Sequence, residues 1–153
     1  MSSFDPVNKS YWLASLCESN YLKLARLIPD LDLIPPSASA QVDGKPSLLL
    51  KLIERSPYTL TLELSHCFAW GFETLLEPAV ILRVYLDARV VEVLSDHARP
   101  FVRDAIKDGI TPRGVMDYKW SLNYFLSQWL DHCLESHYSF TLADQPERSA
   151  SLA

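Results

Sequence analysis

The stretch that decides the fold is Pro78-Ala-Val-Ile-Leu-Arg-Val-Tyr-Leu-Asp-Ala-Arg-Val-Val-Glu-Val-Leu94, in which two β-rich runs flank a polar reversal at Asp87-Ala88. This pattern predicts a β-hairpin. A loop of either two or four residues gives the same register, with Arg83 opposite Glu92. Directly opposed charges of this kind add roughly 0.2–1 kcal/mol to a sheet. The apolar face of the hairpin then holds Val80, Leu82, Val84, Val91 and Val93.

Two further strands are predicted upstream, Ser47–Glu54 and Tyr58–His66, around a three-residue loop at 55–57. That loop length gathers the leucines on one face and keeps Pro57 out of the hydrogen-bonded ladder. The predicted cross-strand pairs are Leu52–Leu60, Leu50–Leu62 and Leu48–Leu64. Residues 67–77 suit either a packed loop or a short irregular strand.

Amphipathic helices flank this strand-rich part. Between Lys9 and Ile28 the apolar residues follow i, i+3, i+4 and i+7 spacing, with Asn20 as the one amide in the stripe. Asn20 could instead divide the run into two shorter helices, since Asn is a good N-cap. The second helix is predicted over Tyr118–His137, with Asp117 or Ser121 as its N-cap.

The order of helix, four to five antiparallel strands and helix is typical of an α+β fold. We expect the N-terminal and C-terminal helices to pack on one face of the sheet, the leucine-rich one. Residues 29–46 read as a connecting loop, and a short helix around 99–107 is possible within a loop spanning 95–116. The sequence predicts one globular domain over residues 1–143 and a flexible tail over 144–153.

The composition and the cysteine spacing argue against several classes of protein and of binding site. The net charge of −5 makes nucleic-acid binding unlikely. No signal peptide and no membrane span are visible, and three widely spaced cysteines form neither a disulfide framework nor a zinc motif. We therefore expect a cytoplasmic protein with no cofactor and no metal. His66 and Cys67 are adjacent on a strand and face opposite sides, so they do not make a nucleophile–base pair.

Three segments carry a resemblance to a known family. They are Leu16–Tyr21 followed by Leu24–Pro29, then Leu82–Val93, and finally Asp117–Leu134. Together they are similar to the YqiB-like proteins, an uncharacterised gamma-proteobacterial family classed as a domain of unknown function. Members often carry a histidine at the position of Leu86 and a Glu-Lys-His-Gln-like run at 118–121, so this chain departs from them there. The resemblance implies no particular reaction.

The candidate functional surface is the polar face of the sheet. It is predicted to hold Lys51, Thr59, Thr61, Glu63, Arg83, Tyr85 and Glu92, with Trp70 on a neighbouring loop. Arg and Tyr are enriched at binding hot spots, whereas the plain alternative is a solvated face with weak ion pairs. Glu18 and Asn20 either tether the first helix to the sheet or belong to the same surface.

The leading hypothesis is a non-enzymatic, regulatory module that binds a protein partner through this polar face and Trp70. The alternative is a protein that binds or hydrolyses a nucleotide-like small molecule. In that case Arg83 acts as the anion clamp, and Glu63 or Glu92 acts as the general base. The oligomeric state is unknown from the sequence.

Overall fold

The computed structural model describes residues 6–70, 73–96 and 112–140. The possible helix around 99–107, the domain boundary at 143 and the flexible tail beyond it lie outside the described residues. Helix α1 precedes a sheet of five strands, and helix α2 follows it. In chain order the elements are α1 Pro6–Leu27, a 3₁₀ turn Leu31–Leu33, β1 Ser37–Ala40, β2 Ser47–Arg55, β3 Thr59–Trp70, β4 Glu73–Tyr85, β5 Val90–Asp96 and α2 Pro112–Glu135.

The strands form one antiparallel sheet in the order β1-β2-β3-β4-β5. Each strand therefore pairs with its neighbour in sequence, as short connections favour. Both helices pack against each other and against β5. This arrangement confirms the α+β fold.

The β4–β5 hairpin has the predicted register. Arg83 pairs with Glu92, and the loop between the strands is the four-residue alternative. The turn closes through the Arg89 N–H, which donates to the Tyr85 carbonyl at 2.8 Å. Arg89 adopts φ 58°, a left-handed backbone that a non-glycine side chain adopts at some cost.

The β2–β3 register differs from the prediction by two residues. Leu52 pairs with Leu62 and Leu50 with Leu64, because the chain reverses farther along, where the Ser56 N–H donates to the Thr59 carbonyl. Continued without a break, the register of that turn would set Leu52 and Leu50 of β2 opposite the polar residues Glu63 and Ser65 of β3. A β-bulge between Leu52 and Glu54 adds one residue to β2 and restores the apolar face.

The structure differs from the prediction in three other segments of the chain. Residues 29–46 are not loop throughout, since they contain the 3₁₀ turn and the edge strand β1. Residues 67–70 and 73–77 continue β3 and β4 as long paired strands, with a register shift between Ser65 and Cys67. Helix α2 begins at Pro112 and not near Asp117. Proline suits a first helical turn because its missing N–H has no partner there.

The core lies between the leucine-rich face of the sheet and the two helices. Its fully buried side chains include Leu62 in β3, Leu82 in β4, Leu24 in α1 and Leu126 in α2. Helix α1 is continuous through Asn20, which is fully buried. Helix α2 ends at Glu135, and the left-handed residue His137, with φ 70°, follows it.

Candidate functional site

The sheet brings most of the predicted surface residues into neighbouring rows. Thr61, Arg83 and Glu92 stand side by side across β3, β4 and β5. Thr59 and Tyr85 form the next row toward the turns.

The row on the other side pairs Lys51 with Glu63. Lys51 is exposed, whereas Glu63, Arg83, Tyr85 and Glu92 are half-buried. The face predicted from the sequence therefore exists.

The two ends of this polar face differ in exposure among the described residues. Ser65 and Ser95, at the end away from the β2–β3 and β4–β5 turns, are buried, with 3% and 6% of their surface exposed. At the turn end, by contrast, Tyr58 is 66% exposed and Ile53 is 49% exposed. The Leu86 N–H donates to the Tyr58 carbonyl at 2.8 Å and holds the two turns together. A ligand or partner would therefore approach at the turn end.

Trp70 is the last residue of β3, where it pairs with Glu73. It thus belongs to a strand and not to a loop. Its side chain lies outside the part of the molecule that the structure describes, so its role in binding stays a prediction.

An open cleft of about 370 Å³ lies between helix α1 and the β4–β5 hairpin. Helix α1 contributes Leu13, Ala14 and Cys17 to its wall. The hairpin contributes Tyr85, Ala88, Val90 and Glu92. Tyr85 and Glu92 therefore belong both to the polar face and to this cleft.

Glu92 is the single charged residue in the cleft lining. Although Arg83 stands opposite it in the register, no salt bridge joins the two among the described side chains. The predicted stabilisation from that cross-strand pair is consequently not realised through a direct contact. The carboxylate borders an open, largely apolar cleft, where it can accept a charge-assisted hydrogen bond from an incoming donor.

Cys17 forms the inner wall of the cleft and is not an activated nucleophile. Burial raises the pKa of its thiol to about 12, and the negative charge of Glu92 adds to this effect. Lys119 on α2 acts in the opposite direction and Glu18 in the same direction, both more weakly than Glu92. A thiol with a raised pKa holds little thiolate at neutral pH, so this geometry opposes covalent catalysis.

A buried amide, Asn123 of α2, joins the helices to the edge of the sheet. Its Oδ1 accepts a hydrogen bond from the Val93 N–H at 3.0 Å, and its Nδ2 donates to the Lys119 carbonyl at 2.8 Å. The Asn20 Nδ2 donates to the Asn123 carbonyl at 3.0 Å. Asn20 therefore ties α1 to α2, whereas the tether to the sheet, expected of Asn20 or Glu18, is made by Asn123.

A second polar cluster lies at the other end of the core. Trp129 Nε1 donates to His66 Nδ1 at 3.3 Å, and the Tyr138 hydroxyl donates to the Pro46 carbonyl. Burial, and secondarily the charge of His132, lowers the pKa of His66. The ring is therefore neutral at pH 7, with its proton on Nε2, and it acts as a packed acceptor for Trp129.

The acidic, histidine and cysteine side chains of the described residues are spread over several elements of the fold. No group of three His, Cys, Asp or Glu side chains among them is arranged to hold a metal ion. Glu63 and Glu92 lie on β3 and β5 with β4 between them, roughly 10 Å apart across the strands. Among the described helices, none is long and apolar enough to cross a membrane.

Several residues of the site had no signal in the sequence. Ala14 and Val90 look like ordinary helix and strand residues, and their common cleft depends on where α1 crosses the hairpin. The role of Asn123 had a weak signal, because an amide interrupts the otherwise apolar stripe of α2. Such an interruption often marks a buried hydrogen bond.

Comparison with known proteins gives a family. A family model described as "Protein of unknown function (DUF1249)" matches residues 23–139. The "Uncharacterized protein YqiB" of Escherichia coli strain K12 is 30% identical over 122 residues, covering 78% of this chain and 84% of the relative. The protein of the same description from Escherichia coli O157:H7 matches to the same extent. No solved structure matches. With most of its length matched, this chain belongs to the DUF1249 family of YqiB-like proteins.

Proposed function

We propose that this protein is a non-enzymatic, cytoplasmic binding module that docks a protein partner at the turn end of its polar sheet face. The observation that carries the proposal is the grouping of Arg83, Tyr85 and Glu92, which are half-buried neighbours beside an open cleft. Arginine and tyrosine are enriched among the residues that carry most of the binding energy at protein interfaces. The exposed side chains of Tyr58 and Ile53 extend this surface.

The titratable groups support a binding role over a catalytic one. Both buried cysteines, Cys17 and Cys133, have a thiol pKa raised to about 12 by burial. His66 is held neutral as an acceptor for Trp129. Active sites usually shift pKa values toward neutrality, and these groups are shifted away from it. Free buried thiols also suit a reducing compartment.

Affinity capture with matched variants tests this proposal. The tagged protein, retained on resin, is incubated with native lysate of the source organism, alongside Tyr85→Ala and Arg83→Gln. The control is Arg26→Gln, which removes an exposed arginine from the last turn of α1. We expect a stoichiometric partner that is retained by the control and lost by the two surface variants. Capture that is equal in all four proteins, or absent in every growth phase, contradicts the proposal.

A second candidate is the binding of a small molecule, and the cleft favours it. Its volume of about 370 Å³ falls at the lower end of the range for ligand pockets. The lining carries the Glu92 carboxylate and neither Arg nor Lys, so a phosphate-bearing ligand is poorly matched there. A thermal-shift screen across small molecules, nucleotides included, separates the candidates, because a ligand at 100 times its Kd stabilises the fold by roughly 2.7 kcal/mol.

A further inference from the structure

The cleft between α1 and the β4–β5 hairpin combines apolar walls with one anionic group. Leu13, Ala14 and Val90 supply aliphatic surface, and Glu92 supplies the only charge in the lining. Within the described residues no side chain or backbone N–H donates to the Glu92 carboxylate. The cleft therefore presents an anionic acceptor that has no donor among the described residues.

Two acidic residues and one basic residue act on the cleft wall at Cys17. At Cys17, on the cleft wall, Glu92 is the strongest electrostatic influence, and Glu18 adds to it against the single opposing Lys119. An apolar guest would bury the carboxylate without a partner, which is costly, and an anionic guest would be repelled. A cation carried on an aliphatic stem matches both the walls and the carboxylate.

We propose that this cleft receives a lysine or arginine side chain from a basic segment of the partner protein. The stem packs against Leu13 and Val90, the nitrogen donates to the Glu92 carboxylate, and the Tyr85 ring borders the cation. This inference rests on the proposed function and names the chemistry of the partner. The source is a protein segment because Tyr85 and Glu92 belong at once to the cleft and to the polar face. The net charge of −5 also favours association with a basic partner.

The first test uses a small probe, N-acetyl-lysine methylamide, titrated into the full ¹⁵N-labelled chain. We expect saturable shifts at the backbone amides of Ala14, Val90 and Glu92. N-acetyl-norleucine methylamide has a similar aliphatic stem without the charge, and we expect it to bind more weakly. The arginine analogue distinguishes a preference for guanidinium from one for ammonium. Equal shifts from the lysine and norleucine probes, or no saturable shift, overturn the proposal.

Two variants then identify the groups involved. Glu92→Gln keeps the shape and removes the charge, and we expect it to weaken lysine-probe binding about tenfold, as losing one charge-assisted hydrogen bond would. Glu135→Gln, at an exposed position at the end of α2 and outside the cleft lining, is the matched control and should leave binding unchanged. An unaltered affinity in Glu92→Gln, with its thermal midpoint preserved, overturns the assignment.

A filling variant separates this inference from the proposed function. Ala14 is an exposed helix residue in the lining, so Ala14→Phe should occupy the cleft and leave the fold intact. Loss of the captured partner in both Ala14→Phe and Glu92→Gln supports the cleft as its anchor site. If the partner still binds both variants while Arg83→Gln and Tyr85→Ala release it, the proposed function stands and the cleft inference fails. If lysine-probe binding depends on Glu92 but no partner is captured, the cleft inference stands and the proposed function fails.

Discussion

Replacing Asn123 with leucine should weaken the attachment of both helices to the edge of the sheet. Leucine resembles asparagine in shape and removes both polar atoms. The Val93 N–H, at a fully buried position on edge strand β5, then loses its acceptor at 3.0 Å. A buried donor left without a partner costs about 1–3 kcal/mol. The hydrogen bond from the Asn20 side-chain amide to the Asn123 backbone carbonyl remains, which limits the loss.

The expected change in Tm depends on the free energy lost and on the length of the chain. We take about 2 kcal/mol as the central value for the lost acceptor. For a chain of this length each kcal/mol lowers Tm by about 2–4 °C, so Asn123→Leu should lower Tm by about 4–8 °C. Urea denaturation followed by tryptophan fluorescence gives the free energy directly. Gln128→Leu, at an exposed position on the same helix, is the control and should stay within about 0.5 kcal/mol of the parent.

Hydrogen exchange gives a local test of the same contact. The Val93 amide should be protected in the parent protein and should exchange faster in Asn123→Leu, beyond what the lower global stability explains. Unchanged protection of Val93, together with an unchanged Tm, would show that Asn123 does not hold β5. The reasoning would then be refuted.

Three other substitutions test separate parts of the fold. Leu62→Ala, at a fully buried position, should lose about 2–5 kcal/mol in urea denaturation, whereas Ile53→Ala, 49% exposed, should lose far less; equal losses would contradict the core assignment. Arg89→Gly relieves a φ of 58° and should raise the stability by about 0.5–1 kcal/mol, with no gain counting against strain in the turn. Because burial lowers the folded-state pKa of His66 below 6.5, the unfolded chain binds more protons, and stability should fall as pH drops below about 6.5. His66→Asn keeps an acceptor for Trp129 and should flatten this pH dependence of the urea midpoint, unlike the exposed control His137→Asn; the same slope in both would exclude His66 as its source.

The local patterns of the sequence determined the class of fold and much of the surface. Alternation of period two in residues 78–94 specifies both faces of the β4–β5 hairpin, because a slip of one residue would turn the buried Val91 and Val93 to the polar face. The same constraint placed Lys51, Glu63, Arg83 and Tyr85 together on the opposite face.

The β2–β3 hairpin shows where such reasoning fails. Leucine alternation tolerates a slip of two residues, so the pattern specified the face and left the register open. The turn at Ser56–Thr59 and the bulge after Leu52 decided between the alternatives.

Only the tertiary structure decided which part of the polar face is accessible and what lies beside it. Three features depend on residues that are far apart in the chain. They are the burial of Ser65 and Ser95, the cleft beside Glu92, and the contact between Asn123 and Val93. Their positions depend on how α1 and α2 pack across β5. Hydrophobic stripes make such packing favourable without specifying its angle or depth, since burial of apolar area is non-directional. The sequence therefore predicted which residues form the polar face, whereas the packing of α1 against the hairpin placed Tyr85 and Glu92 in the wall of a cleft.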